Sequence, residues 1–260
     1  MIDIRHLIEV SSHAALEAGK AIMEVYHSGD FLTDIKQNGE FPVTIADKKA
    51  HQVIKDCLGK INLPILSEEG KSIDFSERKE WEYFWLIDPL DGTKEFINKN
   101  GEFTINIALV HQGTPIIGVI YVPCIDILYY GSNETGVFKK EKGKFIQFSP
   151  LPERKQFDSL LRSELLTVVS SRSHLSSETK IFIKQFKNVN LVSLGSSLKF
   201  MLLLENRADI YPRLGTTMEW DTAAAHAILN ASNRGVYQAD LQSELIYNKP
   251  DLRNPFFIAF

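Results

Sequence analysis

Apolar residues recur at helical spacing near the start of the chain. One face carries Ile4, Leu7, Ile8, Ala15, Ala18, Ile22 and Val25, and Gly29 follows it. Because residues three and four positions apart lie on the same side of an α-helix, this pattern predicts an amphipathic helix that ends near Gly29. A second helix is predicted to begin near Asp47 and to carry Val53, Ile54 and Leu58 before Gly59.

Short apolar runs between residues 62 and 149 have the length and composition of β-strands. The segment LPIL runs into Glu68 and Glu69, and the aromatic run from Trp81 to Ile87 has the length of a central strand. Four further strand-like segments are separated by Gly, Pro and Asn: FTINIALV, PIIGVIYVP, ILYYGS and GVFKKEKGKFIQFS. Within the last segment, KKEKGK predicts a solvated hairpin turn, with a docking patch as the alternative.

Strands and helices alternate in the remainder of the chain. The predicted strands are LTVVSS, NVNLVSLG, ADIYPRL, GVYQA and FFIAF, and the predicted helices are SSETKIFIKQF, SSLKFMLLLENR and WDTAAAHAILNAS. The polar stretch SPLPERKQFDS, with two prolines, predicts a boundary between an N-terminal half, 1–150, and a C-terminal half, 151–260. Two halves of mixed strands and helices indicate an α/β protein built from stacked layers.

Composition and charge exclude several classes of protein. The chain has 260 residues, of which 44% are hydrophobic, and a net charge of −4 with its Lys and Arg dispersed, which argues against a nucleic-acid polymer as partner. No apolar run approaches the roughly 20 residues of a membrane span, and the N-terminal segment lacks the pattern of a signal peptide. Cys57 and Cys124 are far apart and are predicted to be reduced core residues, with a disulfide or a reactive thiol as the alternative. We therefore expect a cytoplasmic protein.

The stretch WLIDPLDGT, residues 85–93, places two acids directly after an apolar strand. Pro89 removes a backbone donor and is predicted to stop the strand ladder, so that the turn exposes the Leu90 carbonyl and brings Asp91 round to face Asp88. Two carboxylates driven together at a buried strand end need a positive partner. Mg²⁺ fits, because it prefers a few carboxylates with phosphate oxygens, and neither Cys nor His is on offer. The alternative is an Asx-type turn.

The residues after Asp91 and two other acidic segments add to this prediction. Gly92 and Thr93 open a short predicted helix, TKEFINK, whose free N–H groups favour a phosphate. Glu68 lies just past another strand end, and Asp221 lies at the start of an apolar helix whose alanines allow close packing. Each acid also has a simpler interpretation, as a loop charge for Glu68 and as a helix N-cap for Asp221.

In combination, DPLDGT, the upstream EE and the downstream WDTAA resemble the lithium-sensitive, magnesium-dependent phosphatases of the inositol monophosphatase superfamily. The resemblance covers essentially the whole chain in the right order. Within the superfamily, WLIDPLDGTKEFINKNGEFTINIAL, SSRSH, GSSLKF and YPRLG are similar to the bacterial CysQ branch, the 3'(2'),5'-bisphosphate nucleotidases. This resemblance implies a five-layer αβαβα sandwich.

The resemblance also implies roles for the acidic residues. Glu68, Asp88 and the Leu90 carbonyl would hold one Mg²⁺, and Asp88, Asp91 and Asp221 would hold a second. The active site as a whole would contain two or three ions. Thr93, with Asp47 as its acidic partner, would orient the attacking water. Most metal ligands thus fall in the N-terminal half, and Asp221 falls in the C-terminal half with the nucleotide-binding residues.

The same resemblance implies a nucleotide pocket. Its nucleotide contacts would be Ser196, Lys199, Arg213 and His174, with Lys199 or Arg213 near the 5'-phosphate, and its substrate contacts would also include Glu68, Leu90, Asp91, Gly92, Thr93 and Asp221. Ser196 and Lys199 are spaced to lie on one helical face. Simpler interpretations are a surface charge for Lys199, a helix cap or core histidine for His174, and an ion pair for the neighbouring Arg172.

The function implied is hydrolysis of adenosine 3',5'-bisphosphate (PAP) to AMP and phosphate, with its sulfated form PAPS as a further substrate, in sulfur assimilation. The alternatives are an inositol or sugar phosphatase of the same fold, and a catalytically silent nucleotide sensor. Thr216 and Ala225 depart from the GPT and WDTAAG patterns of the branch and bear on fine specificity. A monomer or homodimer is expected. Some relatives associate with the inner membrane, but the sequence has no amphipathic anchor for this.

Overall fold

The computed structural model describes residues 2–29, 33–35, 42–171 and 176–260. Its α-helices are α1 (Ile4–Ser28), α2 (Ile45–Leu58), α3 (Phe75–Arg78), α4 (Thr93–Ile97), α5 (Phe157–Leu161), α6 (Ser177–Ile183), α7 (Leu198–Leu204) and α8 (Glu219–Asn230). Short 3₁₀ helices span Gly59–Ile61 and Pro123–Ile125.

The strands are β1 (Thr33–Ile35), β2 (Pro42–Thr44), β3 (Ile65–Ser67), β4 (Tyr83–Asp91), β5 (Thr104–His111), β6 (Thr114–Val122), β7 (Ile127–Ser132), β8 (Gly136–Glu141), β9 (Lys144–Phe148), β10 (Leu166–Ser171), β11 (Val189–Leu194), β12 (Tyr211–Arg213), β13 (Val236–Gln238) and β14 (Phe257–Ala259). Strands β3 to β9 form one seven-stranded sheet in sequence order, in which only β3 and β4 are parallel.

The second sheet is built from the C-terminal half. Strands β10 and β11 pair in parallel, and β14 lies between β12 and β13 in antiparallel pairing. A parallel bridge between Val168 and Ile210 joins the two groups, with the Val169 N–H donating to the Ile210 carbonyl at 2.8 Å. A separate pair, β1 with β2, stands apart from both sheets.

Three hydrophobic clusters define the layers. The first packs α1 and α2 on one face of the large sheet, through residues such as Ile22, Ile54 and Trp85. The second lies between the two sheets and contains α7 and α8, and the third places α5 and α6 on the outer face of the second sheet. The predicted mixed α/β class is confirmed, with helices and sheets alternating in five layers. The middle cluster draws residues from both sides of residue 150.

The alanine-rich helix α8 packs closely on the large sheet, as its composition predicts. A Cβ atom on Gly118 of β6 would lie 2.1 Å from the carbonyl oxygen of Ala224. Only glycine therefore permits this approach. Ala225, 1% exposed, belongs to the same cluster and points into the layer between the sheets.

Several predicted boundaries differ from the structure. The segment GVFKKEKGKFIQFS forms two strands, β8 and β9, joined by a turn at Lys142 and Gly143, and the polar stretch 149–159 includes the start of helix α5. The central strand begins at Tyr83 and extends to Asp91. Among the described residues, no helix combines the length and apolar character needed to cross a bilayer.

A buried histidine on α8 gives a prediction about stability. His226 is 1% exposed, with Nδ1 3.0 Å from the Tyr247 hydroxyl and Nε2 3.2 Å from Glu244 Oε2. Burial, reinforced by the charge of Arg154, lowers its pKa to about 3. The imidazole is therefore neutral at pH 7, and the Glu244 contact is a hydrogen bond, not an ion pair.

Unfolding releases this histidine to its ordinary pKa, so the unfolded chain binds an extra proton between about pH 6.5 and 3. The contribution of His226 to the free energy of unfolding should be complete above this window and fall by about 2 kcal/mol by pH 5. Urea unfolding at pH 7.5 and pH 5 measures it. His226→Gln, which cannot gain a proton, should lose correspondingly less; equal losses in both proteins would show that the pKa of His226 is ordinary.

Candidate functional site

The site lies where strands β4 and β5 meet at one end of the large sheet. Asp88 pairs with Asn106 and Asp91 pairs with Thr104, and the register shifts between the two acids. The prediction that Pro89 stops the ladder is therefore wrong, because pairing resumes at Asp91 after a bulge. The bulge is closed by the Leu90 N–H, which donates to Asp88 Oδ1 at 3.0 Å. It turns the two acids toward the same region while keeping both on one strand.

The chain then enters the short helix α4 through a glycine. Gly92 has φ +93°, a left-handed conformation that side chains disfavour, and a Cβ atom there would lie 3.2 Å from the Glu102 carbonyl oxygen. Thr93 begins α4, as predicted, and its hydroxyl lies 3.3 Å from Asp47 Oδ1 and 3.5 Å from the Leu90 carbonyl oxygen. The threonine thus connects the predicted acidic partner Asp47 to the bulge.

Two of the aspartates occupy equivalent positions on different helices. Asp47 is the third residue of α2, and its Oδ2 accepts from the Thr44 N–H at 2.8 Å and from the Thr44 hydroxyl at 2.5 Å. Asp221 is the third residue of α8, and its Oδ2 accepts from the Met218 N–H at 2.8 Å. The N-cap residue of α8 is therefore Met218, not Asp221. The Asp221 side chain nevertheless accepts a hydrogen bond from the N-cap N–H and so stabilises the start of the helix. In both acids, Oδ2 holds the side chain at the start of its own helix. The other oxygen of Asp47, Oδ1, accepts a hydrogen bond from the Thr93 hydroxyl.

The negative charges of the four carboxylates at the site repel one another. These carboxylates belong to Glu68, Asp88, Asp91 and Asp221. Glu68 continues from β3, with its N–H donating to the Ile87 carbonyl at 3.1 Å, and its carboxyl shares a hydrogen bond with that of Asp88. Burial raises the pKa of Asp88 well above its usual value, and the negative charges of Glu68, Asp91 and Asp221 raise it further. Burial likewise raises the pKa of Asp221, with Asp91 and Glu68 adding to the effect.

These acids fit a hard cation. The raised pKa values of Asp88 and Asp221 mean that the surrounding residues do not neutralise the negative charge of these carboxylates, whereas a cation would do so. Among the described residues, no group of three or more Asp, Glu, His or Cys side chains is arranged to hold a metal ion without further ligands or adjustment. An open set of carboxylate and carbonyl oxygens is what Mg²⁺ uses when phosphate and water complete its shell. The donor set contains neither sulfur nor imidazole, which disfavours zinc.

The predicted cationic residues lie close enough to the acids for their charges to interact. Lys199, on α7, is partly buried, and its Nζ lies 5.8 Å from the centre of the Tyr211 ring. Burial lowers its pKa and Arg213 lowers it further, whereas Asp91, Glu95 and Asp221 oppose the shift. Arg213 donates through Nη2 to the Thr216 carbonyl at 3.2 Å, and its buried Nε has no hydrogen-bond partner among the described residues. A buried donor of this kind suits an anionic ligand.

Ser196 does not lie on the helix with Lys199. It precedes α7 and has φ +53°, so the prediction of a shared helical face is wrong. Its hydroxyl donates to Asp91 Oδ2 at 2.7 Å and lies 2.5 Å from the Thr104 hydroxyl. The Ser196 hydroxyl is therefore hydrogen-bonded to the carboxylate of Asp91, within the protein. His174 and Arg172 lie outside the described residues.

The predicted site residues otherwise converge, and the structure adds others that sequence reasoning missed. Thr104, Asn106 and Ser197 are buried next to Asp91. A signal was available: Thr104 and Asn106 are polar residues two positions apart on a strand that is otherwise apolar through Val110, and such a pair shares one face. Their partners on the α7 side lie some ninety residues further along the chain, so the sequence alone does not connect them.

Comparison with known proteins finds relatives along nearly the whole chain. A family model described as "Inositol monophosphatase family" matches residues 3–255. The 3'(2'),5'-bisphosphate nucleotidase CysQ of Salmonella typhimurium is 40% identical over 255 residues, covering 96% of this chain and 98% of the relative. The protein of the same name from Escherichia coli K12 is 42% identical over 225 residues, covering 86% of this chain and 87% of the relative.

Solved structures show the same fold. The crystal structure of CysQ from Bacteroides thetaiotaomicron, described as a bacterial member of the inositol monophosphatase family, superposes with a TM-score of 0.84 at 42% identity, covering 98% of this chain and 97% of that one. Inositol monophosphatase II from Staphylococcus aureus superposes with a TM-score of 0.74 at 21% identity, covering 98% and 88%. At 21% identity, the similarity to the Staphylococcus aureus protein shows only that the two proteins share a fold.

Proposed function

This chain belongs to the inositol monophosphatase family, and we propose that it is a Mg²⁺-dependent phosphomonoesterase that hydrolyses PAP to AMP and phosphate. The family is generally metal-dependent. The observation that carries the proposal is the side-by-side placement of a carboxylate cluster and a cationic pair, Lys199 and Arg213. A substrate with two phosphates matches both, one phosphate reacting at the acids and the other held by the cations.

The carboxylate side would hold two or three metal ions. Glu68, Asp88 and the Leu90 carbonyl would bind one ion, and Asp88, Asp91 and Asp221 a second. When bound, Mg²⁺ supplies Lewis acidity and neutralises charge at the phosphate. The bulge and the two helix starts position these oxygens before any ion arrives, because each carboxylate of Asp88, Asp91 and Asp221 already accepts a hydrogen bond from its own surroundings.

Asp47 and Thr93 would orient the attacking water. Asp47 is 3% exposed, and burial raises its pKa to about 6, with Thr44 opposing the shift and Glu69 and Glu68 adding to it. At pH 7 to 8 the carboxylate is ionised and accepts the Thr93 hydroxyl hydrogen. The Thr93 oxygen is then available to accept a hydrogen from water, which aims the water lone pair at phosphorus.

The cationic side would give the preference for a nucleotide bisphosphate. Lys199 and Arg213 would meet the 5'-phosphate, and His174 would contribute to the pocket. The alternative of an inositol or sugar monophosphatase leaves the buried Arg213 Nε without an anion. Thr216 stands where the branch pattern has proline. This difference is compatible with the pocket, because Thr216 contacts Arg213 through its backbone carbonyl, which proline also has. Ala225, which stands where the pattern has glycine, is buried in the hydrophobic cluster between the two sheets.

The silent-sensor alternative predicts damaged ligands, and this chain retains Glu68, Asp88, Asp91, Asp221 and Thr93. We infer that PAPS is a further substrate and that the enzyme acts in the cytoplasm, in sulfur assimilation and nucleotide recycling. It would work there as a monomer or homodimer on small molecules.

The test is phosphate release from PAP, inositol 1-phosphate and fructose 1,6-bisphosphate, each with Mg²⁺, with Mg²⁺ plus Li⁺, and with a chelator. We expect PAP to be strongly preferred, lithium to inhibit and the chelator to abolish turnover. A preference for inositol 1-phosphate would retain the metal site and reject the nucleotide pocket. No release from any of the three would favour the silent sensor.

A further inference from the structure

Strand β5 carries two polar residues where it meets the acidic bulge. Thr104 is fully buried and Asn106 is 1% exposed, while the rest of the strand through Val110 is apolar and buried. Burying an amide and a hydroxyl in such a strand is unfavourable unless both are hydrogen-bonded. Both side chains face Asp91 and the segment before α7.

These side chains form a closed cluster with two serines. The Thr104 hydroxyl lies 2.5 Å from that of Ser196, 2.8 Å from that of Ser197 and 3.1 Å from Asn106 Oδ1. Ser197 donates to Asn106 Oδ1 at 2.7 Å, and Ser196 donates to Asp91 Oδ2 at 2.7 Å. The Asn106 amide nitrogen also approaches Asp91 Oδ2, at 3.4 Å. Thr104 touches every member except Asp91.

The cluster has fewer hydrogens than contacts. Three hydroxyl hydrogens serve five short oxygen–oxygen contacts. Ser196 donates its only hydrogen to Asp91 Oδ2, so the short contact between Ser196 and Thr104 requires Thr104 to be the donor. The only hydroxyl hydrogen of Ser197 is donated to Asn106 Oδ1, so Ser197 is not a donor in this chain. The donors therefore run in one direction, from Thr104 through Ser196 to Asp91.

The same cluster ties Asp91 to the cationic side of the site. Ser196 holds a left-handed backbone conformation, unusual for a residue with a side chain, at φ +53°. The preceding Gly195 N–H donates to Glu102 Oε2 at 2.8 Å, and helix α7, with Lys199, follows directly. The Thr104 hydroxyl contacts both serines of this segment, whereas Asp91 and Asn106 of the same sheet each bond to one of them.

We propose that Thr104 is a positioning residue for the metal site: by donating to Ser196 it fixes the hydroxyl that holds Asp91 Oδ2, and so sets the orientation of Asp91 for a divalent cation. The inference rests on the proposed function, in which Asp91 is a metal ligand. Without the Thr104 hydroxyl, Ser196 can rotate away and Asp91 loses its strongest neutral donor. Outer partners of this kind tune metal affinity.

Thr104→Val keeps the size and branching of the side chain and removes its hydroxyl. Mn²⁺ binding to the substrate-free protein, followed by electron paramagnetic resonance or calorimetry, should weaken by about tenfold or more. The Mg²⁺ concentration for half-maximal PAP hydrolysis should rise to match, while kcat at saturating Mg²⁺ changes much less. Thr104→Ser, which restores the hydroxyl, should recover most of the affinity.

The control is Ser132→Ala. Ser132 is equally buried and hydrogen-bonded to Thr135, but it ends β7 at the far end of the sheet, roughly 16 Å along the strand direction from the Ile127 end. Thermal unfolding without metal compares the stability cost of the two changes. If Thr104→Val does not fold, Ser196→Ala, which removes the hydroxyl that donates to Asp91 Oδ2, tests the same donor chain and should also weaken Mn²⁺ binding.

The outcomes separate this inference from the proposed function. Unchanged Mn²⁺ affinity in Thr104→Val, or an equal loss in Ser132→Ala, overturns the positioning role even if PAP is hydrolysed. Weakened Mn²⁺ binding in a protein that does not hydrolyse PAP supports the positioning role and rejects the proposed activity. A wild-type protein that binds no Mn²⁺ overturns both.

Discussion

Asp91→Asn is expected to reduce PAP hydrolysis by at least about a thousandfold, since a bound cation contributes several kcal/mol to stabilising the transition state and this ligand would be neutralised. The amide retains the size of the carboxylate. It also removes a negative charge from beside Asp88 and Asp221, whose pKa values the charge of Asp91 helps to raise. The metal-free variant should therefore unfold at the same temperature as the wild type or at a higher one.

The measurement pairs phosphate release with thermal unfolding, with and without Mg²⁺. Wild-type protein should gain stability from the ion by mass action, and the variant should gain little. Asp56→Asn is the matched control, because Asp56 is an exposed carboxylate on α2 that accepts a hydrogen bond from Gln52 at 2.7 Å. Normal turnover in Asp91→Asn would remove Asp91 from the ligand set, and a large loss of stability without metal would make it a structural residue instead.

Lys199→Ala is expected to lower kcat/KM for PAP by about ten- to a hundredfold, the range for loss of a charge-assisted hydrogen bond of about 1.5–3 kcal/mol. Its Nζ lies 5.8 Å from the centre of the Tyr211 ring, and its charge interacts with those of Asp91, Arg213 and Asp221, where the acidic and cationic residues meet. The sharpest comparison is between PAP and adenosine 3'-monophosphate, which lacks the 5'-phosphate. The variant should lose activity toward the first and retain it toward the second.

Saturating Mg²⁺ is required in this experiment, because removing Lys199 also changes the field at Asp91 and Asp221. Lys144→Ala, on the exposed edge strand β9, controls for the loss of a single positive charge from the protein. An equal loss on both nucleotides would mean that Lys199 acts on the reacting phosphate or on the metal site. No loss on either would leave Arg213 as the cation that binds the 5'-phosphate among the residues that the structure describes.

Much of this architecture follows from local sequence. Helix α1 was predictable because its apolar residues keep a period that no strand can satisfy, and Gly29 ends it in the left-handed conformation at φ +74°. Strands β4 to β6 were predictable as short apolar runs, since both of their faces are covered by helices. The five-residue helix α5 was missed, because a helix of that length has too few turns to show a period.

The site was predictable in part. Glu68, Asp88, Asp91 and Asp221 lie at the ends of recognisable elements, and the motif around them is distinctive. The continuation of β4 beyond Pro89 was not predictable, because a bulge depends on the partner strand accepting a register shift. The role of Ser196 was missed for a related reason: its left-handed backbone is imposed by contacts with Thr104 and Asp91, far away in sequence.

The placement of Asp47 and Asp221 in equivalent turns of α2 and α8 has a consequence for biosynthesis. These helices pack on opposite faces of the large sheet, and α8 is synthesised only after more than two hundred residues of the chain. A nascent chain that ends before α8 lacks Asp221, so it cannot assemble the full set of acids. On the proposed ligand set, full affinity for a divalent ion would therefore be gained only when α8 has docked on the sheet, after most of the chain has been synthesised.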